Sequence, residues 1–204
     1  NNTSIVLSNP LLGGGTIANT ATGTLELATN TANANAITNA SGGALNITGN
    51  NVTNTGAVSN SGTLTLTGSL SGAGVVTNNL GGTVVFSGGA SANASPITND
   101  GTFNISGASS NTATITNNSG LTISNTMAGA GAIANLSGAT LTFATNATNY
   151  NTINSASGAV FSVTGNNAIN YATITSNGAM NVSGSLTNNG SLFINGASSN
   201  SGAI

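Results

Sequence analysis

The sequence predicts an all-β chain: a single right-handed parallel β-solenoid (a β-helix) of about 10–11 coils, with about 18–20 residues per coil. Three observations predict it. A strand-like phrase recurs at a nearly fixed step, a second apolar residue stands at a fixed distance behind each phrase, and an Asn follows that residue at a fixed offset. A regular period in this range belongs to stacked repeats, where each unit buries its apolar edge only against its neighbours.

The phrase is two apolar residues separated by one, most often followed by Ser or Thr. Its copies are Ile5-Val6-Leu7-Ser8, Leu25-Glu26-Leu27, Leu45-Asn46-Ile47-Thr48, Leu64-Thr65-Leu66-Thr67 and Val84-Val85-Phe86-Ser87. They continue as Phe103-Asn104-Ile105-Ser106, Leu121-Thr122-Ile123-Ser124, Leu141-Thr142-Phe143, Phe161-Ser162-Val163-Thr164, Met180-Asn181-Val182-Ser183 and Leu192-Phe193-Ile194. The steps are 20, 20, 19, 20, 19, 18, 20, 20, 19 and 12, so the last coil reads as a shortened one, with a kink, a specialised end or an interface expected there. Alternation with period 2 describes a strand with one buried face. Leu64 and Leu66 are expected inward, with Thr63, Thr65 and Thr67 outward.

The second apolar anchor follows the start of each phrase at a nearly constant step, as from Ile5 to Ile17 or from Leu45 to Val58. The anchors are Ile17, Ile37, Val58, Val76, Ile97, Ile115, Ile133, Ile153 and Ile174, with Leu186 in the shortened coil and Ile204 at the end. The next phrase then follows at one of two spacings, that of Ile17 to Leu25 or that of Val58 to Leu64. The two spacings differ by an even number, which keeps the same side chains on the same face. Two residues past the anchor stand Asn19, Asn39, Asn60, Asn78, Asn99, Asn117, Asn135 and Asn188, with Ser155 and Ser176 filling the place twice. Asn and a following Gly tolerate left-handed backbone and suit a tight corner. Asn side chains stacked coil on coil can also hydrogen-bond along the axis, so Asn, Thr and Ser ladders are expected. The remaining arc is irregular and rich in small residues, as in Gly68-Ser69-Leu70-Ser71-Gly72-Ala73-Gly74. It holds both Pro10 and Pro96, outside the strand phrase. With strands ~4.8 Å apart the rod would be roughly 50 Å long.

Composition narrows the function. The 204 residues include no Lys, Arg, His, Cys or Trp, and the only formal charges are Glu26 and Asp100. Without cations the chain lacks the means to neutralise phosphates, so nucleic acid is not an expected partner. Attraction to anionic lipid fails for the same reason, and no run of about 18 apolar residues suggests membrane insertion. No Cys means no disulfide and no thiolate metal site. The chain starts at Asn1 rather than Met and shows no basic leader, which reads as a mature product or a piece of a larger one.

Chemistry is equally constrained. Catalysis needs acids, bases, nucleophiles or metals in one cleft. Glu26 and Asp100 stand about four coils apart, or roughly 18 Å along the axis on the strand spacing. Paired carboxylates for glycoside cleavage sit about 5–9.5 Å apart. The expectation is no enzyme, no cofactor, no metal and no catalytic residue. Gly13-Gly14-Gly15 has neither the Lys nor the helix of a phosphate loop, and a calcium-binding nonapeptide repeat would need an Asp in every turn. Asn-x-Ser/Thr sequons such as Asn46-Ile47-Thr48 follow from composition. The central outward row Glu26, Asn46, Thr65, Val85, Asn104, Thr122, Thr142, Ser162, Asn181 and Phe193 is too mixed for an ice-binding face. The aromatics available to a carbohydrate are Phe193, Tyr150 and Tyr171, with no clustering evident.

The repeat runs nearly in phase across the ends. In a copy-on-copy joint Ile204 is followed by Asn1-Asn2-Thr3-Ser4 and then Ile5, one residue fewer than the stretch between Ile97 and Phe103. The sequence therefore reads as one solenoid domain, residues 1–204, open at both termini. An end-to-end interface is expected at Ile5, Val6, Leu7, Leu192, Ile194 and Ile204, because exposed strand edges normally carry protective Lys or Pro and capping repeats are polar.

Gly62-Thr63-Leu64-Thr65-Leu66-Thr67-Gly68 and Leu186-Thr187-Asn188-Asn189-Gly190-Ser191-Leu192 resemble the passenger repeats of bacterial autotransporters and filamentous-haemagglutinin-like adhesins. The resemblance is compositional and spans essentially the whole chain. It implies a secreted, surface-displayed β-solenoid used in adhesion, aggregation or a surface coat. The chain departs from that family in having no β-barrel translocator, no recognisable secretion cap and no Lys or Arg. The expected function is a non-catalytic extracellular structural element of a cell-surface filament, stalk or coat. It would stack head to tail as a homopolymer or continue a longer repeat chain. The alternative is an adhesin segment binding a carbohydrate or cell-surface ligand, and ice binding ranks below that.

Overall fold

The computed structural model describes residues 3–89 and 91–204. Asn1 and Asn2, which the joint reading places between copies, lie outside the described residues. The chain winds into a parallel solenoid whose coils of about 20 residues each contribute a strand to up to three sheets. Sheet A has eleven strands, from Ser4–Leu7 to Ser198–Asn200, and holds the repeated phrase. Sheet C has ten, from Thr16–Asn19 to Leu192–Ile194, and holds the Ile/Val anchors. Sheet B has nine, from Ala32–Asn33 to Leu186–Asn188, and occupies the arc whose sequence pattern is irregular.

The core is thin and is built from columns. In sheet A the phrase residues alternate as expected: Leu64 and Leu66 are buried, Thr63 is exposed and Thr65 half-buried. Adjacent coils place like on like, Leu25 beside Leu45 and Ile105 beside Ile123. Phenylalanines enter without stacking in one column. Phe86 packs edge-on against Phe103 at 4.8 Å between ring centres, and Phe143 against Phe161 at 4.9 Å. Both pairs are diagonal, one ring from each of the two inward columns, so no two adjacent coils put a large ring at the same point. Edge-to-face geometry is the favourable one for such contacts.

The end of the chain departs from the sequence reading. Leu192–Ile194 is a sheet C strand, because it pairs with Ile174–Ser176. The sheet A strand after Ala179–Val182 is Ser198–Asn200, with Ser198 beside Met180. The step from Met180 to Ser198 equals that from Phe103 to Leu121, so no coil is shortened. Leu186 and Asn188 belong to sheet B, beside Ala168 and Asn170. Ile204 follows Ala203, which bridges Ser185, so it too falls on sheet B and not on the anchor column. The phrase misled because Ser198 and Asn200 are polar where the rest of the sheet A columns is apolar.

Sheets A and C keep one register throughout, while sheet B slips. Leu70 pairs with Val52 on one side but with Asn93 on the other, and Ser109 pairs with Met127, which pairs with Asn149. Each slip is two residues, so inward side chains stay inward. A left-handed Gly follows each slipping strand: Gly72 at φ +112° after Leu70, and Gly129 at φ +91° after Met127. Leu11 and Gly13, at φ +133°, repeat the arrangement against Asn33 in the first coil. The slips recur every three coils, so the true period of the molecule is a three-coil unit. At Gly72 and Gly129 a Cβ would stand 2.2 Å from the carbonyl oxygens of Asn54 and Asn111. Gly72→Ala and Gly129→Ala are each expected to lower stability by about 1–3 kcal/mol. Gly14→Ala, where a Cβ meets nothing within 4 Å, is expected to be near neutral; thermal and urea unfolding of the three variants checks both.

Candidate functional site

The corner from sheet C to sheet A is held by a buried asparagine ladder. Asn19 Nδ2 donates to Asn39 Oδ1 at 2.7 Å, Asn39 to Asn60 at 2.7 Å and Asn60 to Asn78 at 2.8 Å. The chain continues through Asn99 at 2.7 Å, Asn117 at 2.8 Å and Asn135 at 2.8 Å, ending on Ser155 Oγ at 3.1 Å. Each amide also braces the turn. Asn78 Nδ2 donates to Gly82 O in its own coil at 3.2 Å and to Thr102 O in the next at 3.0 Å. Seven asparagines from Asn19 to Asn135 therefore form one line, and all of them are buried. Burying an amide is favourable only when its partners are present, and no buried side-chain nitrogen or oxygen among the described residues lacks one.

Asn188 stands in a different column. Asn170 donates to Asn188 Oδ1 at 2.8 Å and Asn149 to Asn170 at 2.9 Å, on sheet B. This second ladder also joins Asn33 to Asn54 at 2.7 Å and Asn93 to Asn111 at 2.8 Å. It is interrupted where Gly72 and Gly129 have no side chain to offer. The coil after each interruption supplies a second polar group two residues on, which bonds back to the glycine-bearing coil. Ser95 Oγ donates to Gly72 O at 3.1 Å. Asn151 Nδ2 donates to Met127 O at 3.1 Å and Ala128 O at 3.0 Å, and its Oδ1 accepts from Asn111 at 3.1 Å, spanning two coils. Asn35 does the same in the second coil, donating to Leu11 O at 3.1 Å. The signal for this ladder, an Asn-x-Asn or Asn-x-Ser triplet at 33–35, 93–95 and 149–151, is present in the sequence but spread over a three-coil period.

The candidate interface residues divide between the two ends. Ile5, Val6 and Leu7 lie on the first described sheet A strand, which pairs on one side only. Leu192 and Ile194 lie on the last strand of sheet C, and Ile204 beside the last strand of sheet B. Phe193, Ile194 and Ile204 are exposed, as are Ile5, Val6 and Leu12 at the opposite end. The carboxylates are apart and outward. Glu26 accepts from Thr48 Oγ1 at 2.6 Å and Asp100 from Asn118 Nδ2 at 2.7 Å. No three His, Cys, Asp or Glu side chains come together among the described residues. Tyr150 and Tyr171, which no sequence pattern joins, stack ring on ring in adjacent coils at 4.7 Å.

No family model, curated protein sequence or solved structure matches the chain. The arrangement itself is a backbone scaffold with two internal hydrogen-bond lines, strand edges at its C-terminal end, and an exterior whose only charged side chains are Glu26 and Asp100. Asn78→Ala removes a donor from Asn99 Oδ1 and an acceptor from Asn60 Nδ2. The expected loss is on the order of 3 kcal/mol. Asn78→Ser should lose clearly less, since Ser155 and Ser176 occupy the same column. Equal destabilisation by the two variants in urea unfolding would contradict the ladder's role.

Proposed function

We propose that this chain is a non-catalytic structural element of a secreted or cell-surface filament, stalk or coat, in which further coils stack on the open ends. The carrying observation is that, among the described residues, the sheet A strand Ser4–Leu7 and the last strand of each sheet pair on one side only, with apolar side chains exposed beside them. Parallel edges with apolar columns bind a matching strand through backbone hydrogen bonds and burial. The same face-to-tail contact repeated is heterologous and open, which yields fibres. The matching coils can come from a longer repeat chain or from a second copy. A chain without Lys or Arg offers no site to trypsin-like proteases, which suits an exposed rod.

The joint has a geometric consequence. With Ser4–Leu7 of one copy laid on Ser198–Asn200 of another, sheets A and B continue at the normal spacing. Sheet C does not, because its last strand is one coil behind: Leu192–Ile194 and Thr16–Asn19 stand two strand spacings apart, roughly 10 Å.

Sedimentation and negative-stain imaging of the purified chain test the proposal. Rods that lengthen with concentration are expected, and rods that stay one chain long at every concentration would remove the polymer form. Ile5→Lys and Ile194→Lys should each shorten the assemblies at least tenfold, while Thr98→Lys on the lateral wall should leave them unchanged. A reversed pattern would put the contact on the side of the rod.

One observation favours a second reading. The outward column of sheet C carries Thr38, Ser59, Thr77, Thr98 and Thr116 in five successive coils, in register. This is a more regular hydroxyl row than the mixed one on sheet A, and it supports an ice-facing surface. Thermal hysteresis that is present in the native chain and absent in Thr77→Lys would establish that reading; its absence in the native chain would end it.

A further inference from the structure

The lateral wall of sheet B carries a feature that neither the ladders nor the ends use. Tyr150 and Tyr171 are the chain's two tyrosines. Their rings are parallel within 8°, and they are 44% and 45% exposed. The rings stack along the rod, so only one face of each is covered by the other. Register fixes what the second face of Tyr150 meets. Thr148 and Asn149 pair with Thr126 and Met127, which puts Tyr150 beside Ala128, and Ala128 pairs in turn with Ser110. Ala128 carries only a methyl, so no large side chain of the preceding coil stands in register with the ring. Ala128 and Ser110, together with Gly89, Ala108 and Thr126, line a shallow depression of about 350 Å³. The depression is lined by methyls and hydroxyls, and Tyr150 is the next residue in register beyond Ala128 at its edge.

We propose that this trough and the Tyr150 face bind a neutral saccharide. A sugar ring has an apolar C–H face and a rim of hydroxyls. Tyr offers a rigid apolar face with a polar tip, and Ser110 and Thr126 line the floor with groups that both donate and accept. The charge pattern selects the uncharged class. The chain has no cation to hold an acidic sugar or a phosphate. Its two carboxylates lie elsewhere, Glu26 on the outer face of sheet A and Asp100 at the corner leading out of sheet C. An apolar peptide would call for an enclosed apolar pocket, whereas this trough is shallow and open. The site lies on the side of the rod, so it works on a single chain and on a stack alike, and it does not depend on the end-to-end proposal.

The chain has two Tyr and no Trp, so its intrinsic fluorescence reports from this site alone. The full chain is titrated with cellopentaose, chitopentaose, maltopentaose and xylopentaose, and with an oligogalacturonate as the acidic control. A saturable change in tyrosine emission with at least one neutral oligosaccharide, and none with the acidic one, is expected. By calorimetry, Tyr150→Ala should weaken binding about tenfold or more and Tyr150→Phe much less. Ala128→Leu fills the floor beside Tyr150 and should also weaken binding about tenfold, with the tyrosines intact. Circular dichroism confirms that each variant remains β-structured. The proposal is overturned if no neutral oligosaccharide changes the emission, if only the acidic one does, or if Tyr150→Ala and Ala128→Leu both bind as the native chain does.

Discussion

The rod is organised around one interaction, the hydrogen bond from an asparagine amide to the same atom set one coil further on. A side chain that must both donate and accept along the axis has to return to the same place in every coil. The distances of 2.7–2.8 Å from Asn19 through Asn135 leave little tolerance for a corner that wanders. That fixes the end of each sheet C strand and, through bonds such as Asn60 Nδ2 to Gly62 O and Thr83 O, the start of sheet A in the same and the next coil. Sheets C and A are thus locked to each other. Coil length still varies, being longer from Leu25 to Leu45 than from Phe103 to Leu121, and the difference lies in the turn between the two sheets, which is longer from Ile37 to Leu45 than from Ile115 to Leu121.

Sheet B, on the third side, is where the register moves. Its two-residue slips need a backbone that can turn through the left-handed region, which is why Gly13, Gly72 and Gly129 stand where the register moves. A Gly has no amide to pass the ladder on, so the line breaks at the same positions. The break is repaired from the next coil, by Asn35, Ser95 or Asn151 reaching back to a carbonyl. Slip, glycine and second polar residue form one cooperative device. Its recurrence every third coil extends to the core, where Phe86 and Phe103 occupy the same places in their unit as Phe143 and Phe161 do in the next. Packing and polar satisfaction repeat together, as nearest-neighbour stability of a stacked repeat requires.

Much of this was legible in the sequence and some was not, for identifiable reasons. The phrase and the anchor column are signals carried by apolar residues, one alternating along the strand and one recurring coil by coil, and they locate sheets A and C directly. The third sheet has weaker marks, because its inward positions hold Asn, Ser and Ala as often as Leu or Val. Local patterns also repeat between sheets: Val-Thr-Asn is a sheet B strand at 52–54 and a sheet C strand at 76–78. Leu186-Thr187-Asn188 has the form of a sheet C anchor and its Asn, yet it pairs on sheet B. Only counting coils from both sides separates the two. The Tyr150–Tyr171 stack was hidden for a similar reason, since residues one coil apart become neighbours only once the register of sheet B is known.

The ladder has a direction, and that decides what its ends can do. Every amide in the sheet C column donates toward the later coil, so the line carries its donors toward the C-terminal end of the rod. There the column changes character step by step, from Asn135 to Ser155, then Ser176 and then Ile194. Ser155 accepts the last amide through a hydroxyl, and Ser176 turns its own hydroxyl to Gly178 O in its own coil at 3.4 Å. Ile194 offers neither donor nor acceptor. The polar line is therefore closed inside the rod, and no amide of this column is left pointing out of that end. A strand placed on Leu192–Ile194 would meet backbone groups and an apolar side chain at the ladder position, so its contribution there comes from edge hydrogen bonds and burial. The polarity of the ladder thus gives the C-terminal end of this column an apolar step in place of an amide.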